Sequence, residues 1–391
     1  MSLQHITEEE FQSRRRKACE AAKANNLKGL LVCSRGGGTL DRYADVLYLA
    51  NFYTPFPYIP ELPGHWSGRA HAYLLLPVEG EPILIADIAT PPDVSLPAGQ
   101  IRVVADVIDA VAEAVREIGL DRSQLGLVGA DVLPVSSHER LCEMLPSIAF
   151  EDSQALLDRL RAVKSTAEIN NLEQASFVGS RTLDAMMEAA TPGKLHGEVV
   201  ASGMQVLMPR SGMLYNSFMS SGKGGSSPKK VGTAFPTWGA RDPLEEGDWF
   251  KVGLSGAVEG YVFDLARSRS IGKPQDEQTQ LFEAAIEVVE ASISAIRPGV
   301  TAHDVASAGL SAQETMGYEI KSNFSGMGHG IGLGWDAPWL TVGNEQEIEE
   351  NMVLCVERTI YSHGFVGDFE ETVVVTEDGS RKLTDAVIRR W

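Results

Sequence analysis

The second half of the chain repeats itself. "ATPGKLHGEVVASG" (190–203) resembles "IRPGVTAHDVASAG" (296–309), and each follows one helical stretch and opens another. Pro192 and Pro298 are 106 residues apart (298 − 192), as are Glu198 and Asp304 (304 − 198). Downstream, "EEGDWFKVG" (245–253) matches "EENMVLCVE" (349–357) at an offset of 104 (349 − 245), and "YVFDLARS" (261–268) answers "GDFEETVV" (367–374) at 106 (367 − 261). Solenoid repeats are far shorter, about 20–50 residues. The pattern therefore predicts one helix–helix–hairpin half used twice and closed by a pseudo-twofold axis. The hairpins bring acids to that axis: Asp264 from the first, Glu357 and Glu370 from the second. Where the second half has Glu357, the first has Gly253.

The strands carry the chemistry. "KVGLSGAVEGYVFDLARSRS" (251–270) reads as strand, Gly-containing turn, strand. Side chains alternate along a strand, so Val262, Asp264 and Ala266 share one face. A lone carboxylate among small apolar neighbours is costly unless something pairs with it. Glu357 lies in the strongly apolar "NMVLCVERTIY", which points its carboxylate inward as well. In "DFEETVVV" alternation does not choose between Glu370 and Glu371. His329, in "GMGHGIGLGWDAPWL" (326–340), stands between glycines that permit close backbone approach. Alone it reads first as a loop histidine bonded to a carbonyl. Beside three acids on paired hairpins it completes a metal set. Asp264, His329, Glu357 and Glu370 form an oxygen-rich group suited to one divalent Mn, Fe, Co or Zn ion. A metal-free site is the rival: Lys229 or Lys230 then neutralises the carboxylates and Glu357 is the general base. "SSGKGGSSPKK" (220–230) does not fit the phosphate-loop pattern, so nucleotide binding is set aside.

The first part of the chain alternates helix and strand signals. Glu8 to Asn26 reads as a helix, 28–34 as a buried strand, 72–87 as a hairpin, 106–119 as an amphipathic helix ending at Gly119, and 125–129 as a strand. This is an α/β unit of about 150 residues. A capping box, Ser165 with Glu168 three residues on, marks the next long helix. The expected domains are 1–160 and 161–391. "SRGGGT" (34–39) reads as a loop. "LANFYTPFPYIPELPGHW" (49–66) reads as core and turn material, or as a loop reaching over a site.

Composition bounds the partners. The 391 residues are 43% hydrophobic with a net charge of −19. Such a surface repels nucleic acid and anionic membranes. Four cysteines without a C-x-x-C pair read as buried thiols in a reducing compartment. The N-terminus lacks the apolar core of a signal peptide, and no apolar run approaches a membrane span. A soluble cytoplasmic protein is the expectation.

These motifs resemble the pita-bread superfamily of methionine aminopeptidase, aminopeptidase P, prolidase and creatinase, over almost the whole length. "LRAVKSTAEINNLEQAS" is similar to the helix that opens that family's catalytic domain, "GHGIGLGWDAP" to its His-ligand loop, "NMVLCVERT" and "FEETVVVTEDG" to its two Glu strands, and "GYVFDLARS" to its second Asp strand. The first unit resembles the creatinase/prolidase N-terminal domain, with "LYLANF" in the place of a recurrent strand-turn motif. The implied fold is a creatinase-like α/β domain followed by a pseudo-twofold pita-bread catalytic domain, an α/β plus α+β architecture. The family's metallopeptidases hold two ions with Asp, Asp, His, Glu and Glu. Carried over, the second Asp is Asp264, the His is His329 and the Glus are Glu357 and Glu370. The first Asp falls on Gly253.

Two further departures follow. Lys229 stands near the place of a family histidine that follows a proline, and "WDAP" replaces an H-E-x-P element, with Trp335 where its histidine would be. The resemblance thus implies a divergent hydrolase acting on a C–N bond of a small amide- or dipeptide-like substrate with at most one metal ion. Glu357 and Lys229 are the catalytic candidates, and Tyr261, Trp335 and Asp336 the substrate contacts. A lyase like the dimethylsulfoniopropionate lyases and a non-catalytic binding protein are the alternatives. The retained histidine and acids favour an enzyme. A homodimer is implied by resemblance only.

Overall fold

The computed structural model describes residues 5–36, 42–54, 56–62, 65–88, 93–223, 230–232, 243–320, 326–362 and 364–389. Lys229 and most of "GKGGSSPKK" lie outside them, as does most of "GGGT". The chain divides into two compact units, His5–Arg161 and a second that runs from Ala162 to the C-terminus.

The first unit comprises α1 (Glu8–Ala24), β1 (Gly29–Arg35), α2 (Ala44–Ala50), β2 (His71–Pro77), β3 (Ile83–Ala86), β4 (Ile101–Val103), α3 (Val107–Glu117), β5 (Gln124–Val128), α4 (Val135–Met144), β6 (Ala149–Asp152) and α5 (Gln154–Ala162). Its sheet runs β4-β3-β2-β1-β5-β6, with β1–β2 and β2–β3 antiparallel and the other pairs parallel. Val111 and Val115 of α3 pack on Leu31, Tyr73, Ile85 and Leu127 of the sheet. Each such buried side chain contributes roughly 1.5–3 kcal/mol. One expectation is corrected here. "LYLANF" is not strand and turn: Leu47–Ala50 complete α2, whose apolar residues other than the half-buried Leu47 are buried, and Asn51 caps it in the left-handed region at φ 51°. The thiols are also not uniformly buried, since Cys142 on α4 is exposed and Cys19 half-buried; all four are free.

The second unit comprises α6 (Thr166–Ala189), α7 (His196–Leu207), β7 (Gly212–Gly222), β8 (Lys230–Gly232), β9 (Trp249–Val258), β10 (Tyr261–Ser270), α8 (Asp276–Ala295), α9 (Ala302–Thr315), β11 (Gly326–Ile331), β12 (Trp335–Thr341), β13 (Val353–Ser362), β14 (Phe365–Thr376) and β15 (Gly379–Lys382). The Ser165–Glu168 capping box opens α6 as expected. The repeat is present as two helix pairs, each followed by strands. Pro192–Gly193 leads into α7 and Pro298–Gly299 into α9, with φ 89° at both glycines. Glu198 accepts from the Leu195 amide and Asp304 from the Thr301 amide, each at 2.9 Å. Two acids 106 residues apart (304 − 198) thus close the same N-terminal turn in each half.

The sheets run β10-β9-β7-β8 and β12-β11-β13-β14-β15. They abut where β10 meets β14: Thr372 Oγ1 donates to the Asp264 carbonyl at 3.2 Å. Helices α8 and α9 bury Phe282, Val289 and Val305 against Leu354, Phe369 and Val373. Phe282 and Phe369 meet edge to face at 6.0 Å, a geometry worth roughly 0.5–1.5 kcal/mol beyond area burial. Arg267 crosses the seam, fully buried, and donates to Glu371 Oε1 at 2.7 Å and to the Glu370 carbonyl at 2.5 Å.

Register sharpens the repeat. In the second hairpin Glu357 lies directly opposite Glu370. In the first, Asp264 lies opposite Ser255, and Gly253 opposite Ala266. The halves are therefore offset by one pleat, and Gly253 faces Asp264 diagonally.

Candidate active site

The pocket floor follows from period-two alternation on four strands. Lys251, Gly253 and Ser255 line it from β9, Asp264 and Ala266 from β10, Glu357 and Thr359 from β13, and Asp368 and Glu370 from β14. His329 enters from β11, Trp335 and Trp339 from β12, and Asn216 and Phe218 from β7. The cavity measures about 290 Å³. Phe218, Trp335 and Trp339 remain partly exposed and supply its aromatic walls.

His329 is set by its glycines. Gly328 has φ 127°, and a Cβ there would lie 1.9 Å from the Cys355 carbonyl oxygen. Only glycine lets β11 approach β13 so closely. His329 Nδ1 then donates to the Gly330 carbonyl at 2.8 Å. That fixes the tautomer and leaves the Nε2 lone pair facing Asp264 Oδ2 at 3.9 Å. Trp335 Nε1 donates to the same Oδ2 at 2.6 Å.

The acids stand close together, Glu370 buried and Asp264 and Glu357 half-buried at the pocket. Burial, reinforced by Glu357 and Asp368, pushes the Asp264 carboxyl up to about 8, against the lowering pull of Trp335. Burial and Asp368 push Glu357 up to about 7, with Lys251 and Arg358 opposing. Glu370 is driven well above the usual carboxylate range by burial and by Asp264, Glu357 and Asp368. Burial lowers the His329 imidazole. Burial also works against the charge of Lys251, but Asp368, 2.8 Å away, outweighs it and holds the ammonium above its ordinary value. Desolvation and like-charge crowding are the common causes.

Such a cluster suits a divalent cation. Glu370 Oε1 is buried with no hydrogen-bond partner among the described residues. A ring nitrogen of His329, a carboxylate oxygen of Glu370 and Cys355 Sγ form one group of potential ligand atoms within 4.8 Å of one another. His329 and Glu370 thus fit a divalent ion together with Cys355, while Asp264 and Glu357 line the same pocket outside that group.

The four metal-site residues expected from sequence, Asp264, His329, Glu357 and Glu370, all line this one pocket. Glu371 faces the other way, onto Arg267. Alternation could not choose between the two glutamates because both faces of β14 are buried. Trp335 lines the pocket, but Tyr261 and Asp336 are not among its described lining residues. Tyr261 is buried at the turn end of β10, opposite Val258. Asp336 points to Lys164, with Oδ2 3.4 Å from Nζ, because alternation turns it away from the face of Trp335. Lys229 lies outside the described residues. Sequence reasoning missed Lys251, Cys355, Thr359 and Asp368. Each stands two residues from a position already singled out, on the same strand face. Trp339 and Phe218 gave no signal of that kind.

Fold and site together define a two-domain pita-bread hydrolase. The model of metallopeptidase family M24 matches residues 170–377, and that of the Creatinase/Prolidase N-terminal domain matches residues 14–163. The chain belongs to metallopeptidase family M24. It is 27% identical over 278 residues to the Xaa-Pro dipeptidase of Pyrococcus horikoshii, covering 70% of this chain and 74% of that one. The crystal structure of dipeptidase PepE from Mycobacterium ulcerans superposes with a TM-score of 0.79 at 23% identity, covering 99% of both chains. The prolidase from Pyrococcus horikoshii superposes at 0.77 with 21% identity, over 96% of this chain and 99% of that one. These two likenesses, at such identity, speak for the fold. No described helix is long and apolar enough to cross a membrane.

Proposed function

We propose that the chain hydrolyses a C–N bond in a small amide- or dipeptide-like substrate with at most one divalent ion, held by Asp264, His329, Glu357 and Glu370. The observation that carries this is the company of Glu370: a buried Oε1 with no hydrogen-bond partner among the described residues, in one pocket with His329 and two further carboxylates, while Gly253 supplies no additional acid. When bound, the ion lowers the pKa of a water and polarises a carbonyl. In the metal-free form of the site, Glu357, whose carboxyl burial and Asp368 push up to about 7, accepts the proton of the attacking water. Trp335 holds Asp264 in place, and the aromatic walls with a cavity of about 290 Å³ suit a short substrate. Lys229 remains the candidate for the proton-handling role that a histidine has in the resembled family. The chain works as a homodimer, a reading supported by resemblance.

The test is direct. Protein purified without chelator is analysed for Mn, Fe, Co and Zn, then assayed for amine release from Xaa-Pro dipeptides and small amides. Release that depends on the ion and is lost in Glu357→Gln supports the reading. Release that survives Glu357→Gln, or no release from any member of the panel, sinks it. In the metal-free form a raised Glu357 carboxyl lining the pocket also suits removal of a C–H proton, and elimination as in the dimethylsulfoniopropionate lyases is the second reading. An unsaturated product in place of acid and amine identifies it.

A further inference from the structure

We propose that Lys251 is the built-in cation of this pocket: it takes the electrostatic place of a second divalent ion and restricts the site to one. The inference rests on the ligand set proposed above, not on the reaction. Lys251 shares the pocket-facing side of β9 with Gly253 and Ser255. Its Nζ lies 2.8 Å from Asp368 Oδ2, with both side chains largely buried. The other oxygen of Asp368 accepts from Thr359 Oγ1 at 2.7 Å. Each oxygen of Asp368 thus already has a donor, and its charge is matched by the ammonium. Asp264, Glu357, Glu370 and His329 remain, a donor set for one divalent ion. A second ion would need another anionic ligand and would stand against the ammonium in a poorly screened site.

Gly253 makes the point sharper. A Cβ at this position would lie 3.8 Å from Phe218 Cβ and 4.0 Å from the Phe218 carbonyl oxygen, both ordinary contacts. Packing does not require a glycine there. What distinguishes the position is that the strand face already carries a fixed positive charge two residues away.

Equilibrium dialysis against Mn²⁺ with elemental analysis tests the inference without any substrate. Wild type and Lys251→Arg are expected to bind one ion per chain. The double variant Lys251→Met/Gly253→Asp, which removes the ammonium and supplies a carboxylate, is expected to bind two. Two ions in wild type, or one ion in the folded double variant, overturns the proposal. Should the double variant not fold, Mn²⁺ electron paramagnetic resonance of wild type decides. A spectrum of isolated ions supports the inference, and a spin-coupled pair overturns it. Loss of the hydrolase reading would appear only in the product assay, so the two failures are distinguishable.

Discussion

Trp335 Nε1 and Asp264 Oδ2 are 2.6 Å apart, and the oxygen that accepts this bond also faces His329 Nε2. An indole with no acid–base function thus sits where it decides how readily Asp264 ionises. The hydrogen bond favours the charged carboxylate, against burial that favours the neutral acid. Trp335→Phe keeps the ring and removes the donor. Asp264 then holds its proton to higher pH, and the pH midpoint for Mn²⁺ binding moves upward. Calorimetric titration at a series of pH values reads that shift; an unchanged midpoint would mean the bond has no such role.

The raised acids make stability depend on pH in a defined direction. Asp264, Glu357 and Glu370 all hold protons more tightly folded than unfolded. Their protonation favours the folded state most fully below the ordinary carboxylate range, and that contribution is lost as pH rises through about 7 for Glu357 and about 8 for Asp264. Chelated protein should therefore melt at lower temperature at pH 8.5 than at pH 5, values chosen to bracket that window. Saturating Mn²⁺ should remove most of the loss, because a ligand that binds only the folded state stabilises it. Glu370→Gln should flatten the profile of the chelated protein. Scanning calorimetry across the range is the measurement.

Two glycines at the site should respond very differently to the same substitution. Gly328→Ala meets the Cys355 carbonyl oxygen at 1.9 Å with φ 127°, and the strain should cost roughly 1–3 kcal/mol or more and displace His329. Gly253→Ala meets nothing closer than 3.8 Å and should change stability by less than about 1 kcal/mol. Urea denaturation of both variants checks the contrast.

Arg267→Met removes the buried partner of Glu371 and should cost roughly 3–5 kcal/mol, since it strands a charge. Arg267→Met/Glu371→Gln should recover a substantial part of that. A double variant no more stable than the single one would show that the backbone bond to Glu370, rather than the ion pair, is what matters. Chemical denaturation of the pair resolves it.

Much of the catalytic half was legible in the sequence because its marks are local. The capping acids Glu198 and Asp304, the glycine pair before each second helix and the strand-borne acids all depend on residues within a few positions. What the sequence withheld depends on register and on which faces are covered. Glu370 and Glu371 look alike until β13, β10 and Arg267 give each a different neighbour. Asp336 was expected to meet substrate, yet alternation carries it to Lys164. Lys251 passed unnoticed because its partner Asp368 lies 117 residues on (368 − 251), beyond any local pattern. "LYLANF" was expected to be strand and turn by its resemblance to a family motif, and its packing in α2 decided otherwise.

The seam between β10 and β14 gives the site no address in either half alone. Asp264 arrives from one copy of the repeat, His329, Glu357 and Glu370 from the other, and Arg267 is the bolt through the join. Each copy could acquire its helices and hairpin separately and still be chemically mute. Fragments cut between Ser270 and Asp276 would regain the pocket only by finding one another, so complementation between them would report docking of the halves rather than the folding of either.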